Sequence, residues 1–105
     1  METAYTKAIE FIRQHPATGS AVGMAKLLLS LYNDEAAFSY RECVSNFDSE
    51  RLRLAMDVIE HFNHVGETKE LVSIGSELCD RYPSLWEMGY AGTVAKIKVR
   101  DGQTQ

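Results

Sequence analysis

The chain is poor in the residues that build disulfide scaffolds and in those that break helices. It has two cysteines, Cys43 and Cys79, and two prolines among 105 residues. The cysteines form no Cys-x-x-Cys motif, and we interpret them as two reduced, partly buried thiols in a reducing compartment. The sequence alone neither supports nor excludes a disulfide between them.

Long apolar runs and an excess of basic residues are also absent. No apolar stretch approaches the roughly 20 residues of a transmembrane helix, and the opening residues METAYTKAIEF lack the pattern of a signal peptide. The net charge is -4, which disfavours attraction to nucleic acid or to an anionic membrane. We therefore expect a cytoplasmic protein that binds neither membranes nor nucleic acid.

What remains is the composition of an ordinary globular domain. Hydrophobic residues make up 45% of the chain and charged residues 25%, and the length suits one hydrophobic core. We predict a single helical domain over residues 1–100, followed by a polar, disordered tail over residues 101–105.

Hydrophobic periodicity and capping residues predict an all-α fold. Pro16, Gly66 and Pro83 mark helix ends, while Ser39–Glu42 and Ser84–Glu87 read as capping boxes that open new helices. About six helices follow, one of them short, in a compact bundle. The predicted ranges are 3–15, 20–32, 39–46, 50–64, 68–82 and a last helix from 84 onward.

The second helix is apolar on almost every side, so we expect it to be the central, most buried element. Gly23 on this helix and Gly75 on the fifth are expected to admit close helix contacts. On the fourth helix a single stripe is predicted to face the core: Leu52, Ala55, Met56, Ile59 and Phe62.

The last helix is the least regular segment. Gly89 and Gly92 each disfavour helix by about 1 kcal/mol relative to Ala, and residues 95–99 alternate as a strand would. A lone strand would have no partner within this chain, so we favour helix over residues 93–99.

One polar constellation suggests chemistry. Asp57, His61 and His64 are spaced i, i+4 and i+7 on the fourth helix, a spacing that suits the ligands of a divalent metal such as zinc. The set is one ligand short of a closed structural zinc site. The alternative is an ordinary solvated face opposite the core stripe. We expect these side chains to be exposed and to bind no metal.

No other set of residues predicts catalysis or a cofactor. The aromatic residues offer a different kind of site, because a short helical domain rarely buries every large ring and can leave apolar surface for a partner. We expect such a surface on the last helix, at Trp86 and Tyr90.

Several segments resemble a known family. They are Gly19-Ser20, Leu27-Leu28-Leu29, Leu31-Tyr32-Asn33, Phe38, Phe47-Asp48, Ile74-Gly75 and Leu85-Trp86, and they span about two thirds of the chain. In these positions the chain resembles small helical bacterial proteins, often carried on plasmids and phages, that have no assigned activity. The resemblance implies a helical fold and a bacterial or mobile-element origin, and it implies no catalytic residues.

Three functional hypotheses remain open from the sequence. The first is a non-enzymatic helical module that binds a partner protein or a second copy of itself. The second is a phage- or plasmid-type counter-defence inhibitor, which would carry its acidic residues on one face. The third is a metal-binding protein or enzyme that uses Asp57, His61 and His64.

Overall fold

A computed structural model describes residues 2–102, and within that range it contains six helices and no strand. The all-α prediction is confirmed. The helices are α1 (Ala4–Gln14), α2 (Gly19–Tyr32), α3 (Tyr40–Val44), α4 (Ser49–Val65), α5 (Lys69–Arg81) and α6 (Pro83–Gly102).

Side-chain caps explain where five of the helices begin. At each start a hydroxyl or carboxylate oxygen accepts a hydrogen bond from the backbone N–H three residues on, which satisfies one free donor of the first turn. The capping box predicted at Ser39 is confirmed. The five capping residues are Thr3, Thr18, Ser39, Asp48 and Thr68.

Helix α2 is the centre of the bundle, as predicted, and packs against α1, α3, α4 and α5. Both close contacts expected at glycines occur there. A Cβ atom on Gly23 would lie 2.1 Å from the carbonyl oxygen of Cys43 in α3, and one on Gly75 would lie 2.3 Å from the Tyr32 ring. The buried residues of α2 are Ala21, Gly23, Met24, Ala25, Leu27, Leu28 and Leu29.

Helix α4 faces the core with a side that only partly matches the predicted stripe. Val58, which the prediction left out, is fully buried, while Met56, which it included, is 64% exposed. The core-facing side is therefore turned from Met56 towards Val58, and Arg51 lies over the Phe11 ring of α1 at 4.3 Å. The predicted residues that do pack in or against the core are Ala55, Ile59 and Phe62.

Helix α6 starts one residue earlier and continues further than expected. It begins at Pro83, and proline suits the first position of a helix because its missing N–H would have no partner there. The capping box predicted at Ser84 is therefore wrong. Residues 93–99 are helical. Of the predicted tail, residues 101 and 102 form the last turn of α6, and residues 103–105 lie outside the described part.

The first half of α6 rests on α5 and on the loop between α2 and α3. Leu85 is buried, the Ala37 N–H donates to the carbonyl of Gly89 at 3.1 Å, and the Thr93 hydroxyl donates to the carbonyl of Glu35 at 2.7 Å. The bundle measures 51 × 27 × 25 Å. Across residues 2–102, no helix has both the length and the apolarity needed to span a bilayer.

Candidate functional site

The structure brings the three candidate metal ligands to one open cleft between α1 and α4. Asp57, His61 and His64 border it, together with Ala4, Lys7 and Glu60, and its volume is about 250 Å³. The cleft is polar and open to solvent. Lys7 adds a positive charge to its wall, which disfavours a bound cation.

The two histidines of the cleft have different surroundings. His64 is exposed, as predicted. The prediction that His61 is exposed was wrong: it is half-buried, and its ring meets the Tyr5 ring edge-on with centroids 4.6 Å apart. The Tyr5 hydroxyl in turn donates to the carbonyl of Gly66 at 2.9 Å, and burial raises the pKa of this phenol. His61 therefore helps to join α1 to α4.

Among residues 2–102, no three His, Cys, Asp or Glu side chains are grouped closely enough to hold a metal ion. The cleft therefore has the spacing that the sequence suggested without the convergence that coordination requires. Its arrangement matches a solvated groove in which one histidine packs on a neighbouring tyrosine.

Helices α1 and α5 are joined by two polar clusters that are already satisfied. The Thr3 hydroxyl donates to the carboxylate of Glu70 at 2.7 Å, and the Thr6 hydroxyl donates to its other oxygen. Arg13 holds Glu77 through two hydrogen bonds of 3.0 and 2.6 Å. In the described part of the chain, every buried side-chain nitrogen or oxygen has a partner. No buried polar group there is left to meet a ligand.

The thiols are free and poorly suited to nucleophilic chemistry. Cys43 is buried and Cys79 is half-buried, in agreement with the sequence interpretation. Burial raises the pKa of Cys43 to about 11 and also raises that of Cys79. A reactive cysteine needs the opposite change, because the thiolate is the nucleophile.

The most distinctive surface of the molecule is the outer side of α6. Trp86 and Tyr90 lie one helical turn apart with their rings stacked, at a centroid distance of 6.2 Å and an interplanar angle of 11°. Tyr90 is 44% exposed and Ile97, two turns further along the same side, is 39% exposed. We call Trp86, Tyr90 and Ile97 the outer stripe. Of the two residues expected to form an interaction surface, Tyr90 is exposed, whereas Trp86 is half-buried and packs against the core.

The last eight residues of α6, 95–102, extend beyond the bundle as an arm. Residues 95–101 are exposed, and Val99 is 62% exposed. Four of these residues (Ala95, Lys96, Val99 and Arg100) border an open ledge that no other helix covers. This ledge could not be predicted from the sequence, because an apolar residue in a helix has the same spacing whether or not another helix packs on it.

A second apolar strip lies on α4 and contains three of the five residues that were expected to face the core. Met56 is its most exposed member, and Leu52 and Ile59 are half-buried beside it. Shallow depressions along the strip are bordered by Arg53, Glu60 and other polar residues. The strip belongs to a helix that packs against α1 and α2.

Comparison of the chain with models of protein families, with curated proteins and with solved structures finds no match.

Proposed function

We propose that the protein is a non-enzymatic interaction module that binds a partner protein or a second copy of itself through α6. The observation that carries this proposal is the arm together with the outer stripe: a helix of 20 residues whose residues 95–101 are exposed. Its second half exposes Ile97 and Val99 to water.

The energetics of an isolated helix favour a partner for the arm. Helices shorter than about 12–15 residues are marginal in water unless an apolar face packs against something. The arm contains two β-branched residues, Ile97 and Val99, which have lower helix propensity than Ala or Leu. A surface that covers these side chains would stabilise the helix and remove apolar area from water at the same time.

The structure gives less support to the other two functional hypotheses. Acidic residues occur on every described helix except α2, so they are spread around the molecule, whereas a counter-defence inhibitor of a nucleic-acid-binding groove would gather them on one face. The cleft of Asp57, His61 and His64 has one histidine packed on Tyr5 and a lysine in its wall. We therefore rank the interaction module first.

We also propose that the module acts in the cytoplasm of a bacterium. The two free thiols support a reducing compartment, and the resemblance to small helical bacterial proteins supports the origin. Fractionation of the source cells, with detection of the native protein, tests the location; recovery from the periplasm or the medium would contradict it.

The interaction itself is tested by affinity capture with paired variants. The bait Tyr90→Glu/Ile97→Glu places charges on the outer stripe, while Val72→Glu places one on an exposed valine of α5, 42% accessible and outside α6. We expect proteins captured from the source cells by the wild type to be retained by the α5 variant and lost by the α6 variant. Equal retention by both variants would show that α6 is not the binding surface.

A further inference from the structure

We infer that the α6 partner is a second copy of this chain, paired antiparallel along the outer stripe. This inference rests on the proposed function and names its partner. Tyr90 and Ile97 are exposed for such a contact, while Trp86 borders it as a half-buried ring that also packs against the core. The side of α6 that faces the bundle, marked by Leu85 and Gly89, lies roughly 100° from the centre of the stripe.

The charges of α6 are distributed unevenly along the helix. Its first half carries Glu87 as the charged residue, and its second half carries Lys96, Lys98 and Arg100 before Asp101. Two parallel copies would bring the three bases of each close to those of the other. Two antiparallel copies bring the acidic half of each helix beside the basic half of its neighbour, and they also oppose the two helix dipoles.

The spacing of the charged residues makes a specific contact. Glu87 and Lys98 are eleven residues apart, close to three full turns, so they lie on the same flank of the stripe. In an antiparallel pair related by a two-fold axis, the same flank of each helix faces that of the other. Glu87 of one copy therefore faces Lys98 of the second copy, and the symmetry repeats the pair.

The pairing that places Glu87 opposite Lys98 also brings apolar residues of the two copies together. With Glu87 opposite Lys98, the two-fold axis passes between Gly92 and Thr93. Ile97 of one copy then lies level with the gap between Trp86 and Tyr90 of the second, whose stacked rings are 6.2 Å apart. A side chain that fits between two residues one turn apart is the usual packing of paired helices.

The contact is small, and this sets the expected affinity. The helix is about 30 Å long, and pairing along one stripe buries far less than the 2,000 Å² or more of obligate dimers. We therefore expect a dissociation constant in the micromolar range, with folded monomers on dilution.

Sedimentation equilibrium of the full chain between about 10 µM and 1 mM tests the pairing. The wild type should dimerise, Ile97→Asp should weaken the dimer at least about tenfold, and Val72→Asp should leave it unchanged. Glu87→Lys should also weaken it, because each copy then carries four like charges along α6. The double variant Glu87→Lys/Lys98→Glu should restore most of the lost affinity, since it reverses both partners of the antiparallel pair.

Two outcomes would overturn the inference: a wild type that stays monomeric at about 1 mM, or a double variant no tighter than Glu87→Lys. Circular dichroism of each variant confirms that the helices are intact. A monomeric wild type whose captured partners are lost on Tyr90→Glu/Ile97→Glu would contradict self-pairing alone and leave the proposed function standing. A dimer whose affinity is unchanged by Ile97→Asp would contradict pairing along the outer stripe, and if the captured partners were also retained by Tyr90→Glu/Ile97→Glu, the proposed function would be contradicted as well.

Discussion

Two histidines of α4 have different surroundings, although their spacing in the sequence places them on the same side of the helix. His61 and His64 are one turn apart and border the same cleft, yet only His61 touches α1. The contact with Tyr5 makes His61 part of the joint between the two helices. His64 reaches solvent from the last turn, where a histidine is favoured by the helix dipole.

Replacing the two histidines separately should therefore give different costs. We expect His61→Ala to lower the free energy of unfolding by about 0.5–1.5 kcal/mol, the range of an aromatic pair. His64→Ala should change it by less than about 0.5 kcal/mol, as for ordinary surface residues. Urea denaturation of both variants measures the difference, and equal costs would mean that the Tyr5 contact contributes nothing.

Gly75 has no room for a side chain at the contact between α5 and α2. Its substitution by alanine would place a Cβ 2.3 Å from Cγ of the half-buried Tyr32 ring, so the ring or α5 must move. We expect Gly75→Ala to destabilise the fold by about 1–3 kcal/mol, although alanine favours helix. The matched control is Gly102→Ala, where nothing lies within 4 Å. A neutral Gly75→Ala in thermal unfolding would show that the helices slide apart freely.

At the scale of helices, the local signals in the sequence predicted the elements well. The caps at Thr18, Ser39 and Thr68, and the left-handed stop at Gly66, whose φ is 68°, act within one turn of chain and can be read directly. The central position of α2 also followed from its sequence, because a helix with apolar residues on nearly every side must be surrounded.

The orientation of α4 could not be predicted in the same way. Apolar residues cover a wide arc of this helix, and both the Leu52–Met56–Ile59 side and the Leu54–Val58–Phe62 side follow helical spacing. The choice between them depends on the surface of α1, which presents the rings of Tyr5 and Phe11 to His61 and Arg51. Such a contact between distant parts of the chain cannot be inferred from the sequence of either segment.

The pairing of α1 with α5 gives the fold a dependence on acidity. The Arg13 guanidinium, hydrogen-bonded to Glu77, holds the pKa of that carboxyl below its ordinary value of 4.5, and Arg81 lowers it further. A carboxyl with a lower pKa in the folded state adds stability above its unfolded pKa. That stability is lost as the pH falls through the folded value.

We therefore expect Glu77→Gln to be less stable than the wild type near pH 6, by at most about 1 kcal/mol because the pair is at the surface. The difference should shrink as the pH is lowered from about 5 to about 3. Denaturant midpoints of both proteins across this range measure it. A difference that stays constant with pH would show that the ion pair adds nothing beyond the shape of the side chain.

In the molecule as a whole, the residues that stabilise the fold and the arm that is proposed to bind a partner lie in different parts. The buried core consists of residues from α1 to α5 together with Ala36 and Leu85, while the arm contributes none of its members. A protein built this way can lose the arm without losing its fold.

A chain truncated after Lys96 should accordingly unfold with a free energy within about 0.5 kcal/mol of the full chain, at concentrations near 1 µM where self-pairing is negligible. The contrasting change is Leu85→Ala, which removes the buried anchor at the start of the same helix. It should cost about 2–5 kcal/mol. A truncated chain as unstable as the Leu85 variant would place the arm inside the cooperative unit.

The position of Trp86 gives the molecule a built-in optical reporter. It is the single tryptophan of the chain, half-buried against the core near the start of α6 and stacked on Tyr90. Its fluorescence therefore follows the local environment of this joint, whereas far-ultraviolet dichroism follows all six helices. If α6 detaches before the rest unfolds, the emission changes at a lower denaturant concentration than the dichroism, and coincident transitions mean that helix and bundle separate together.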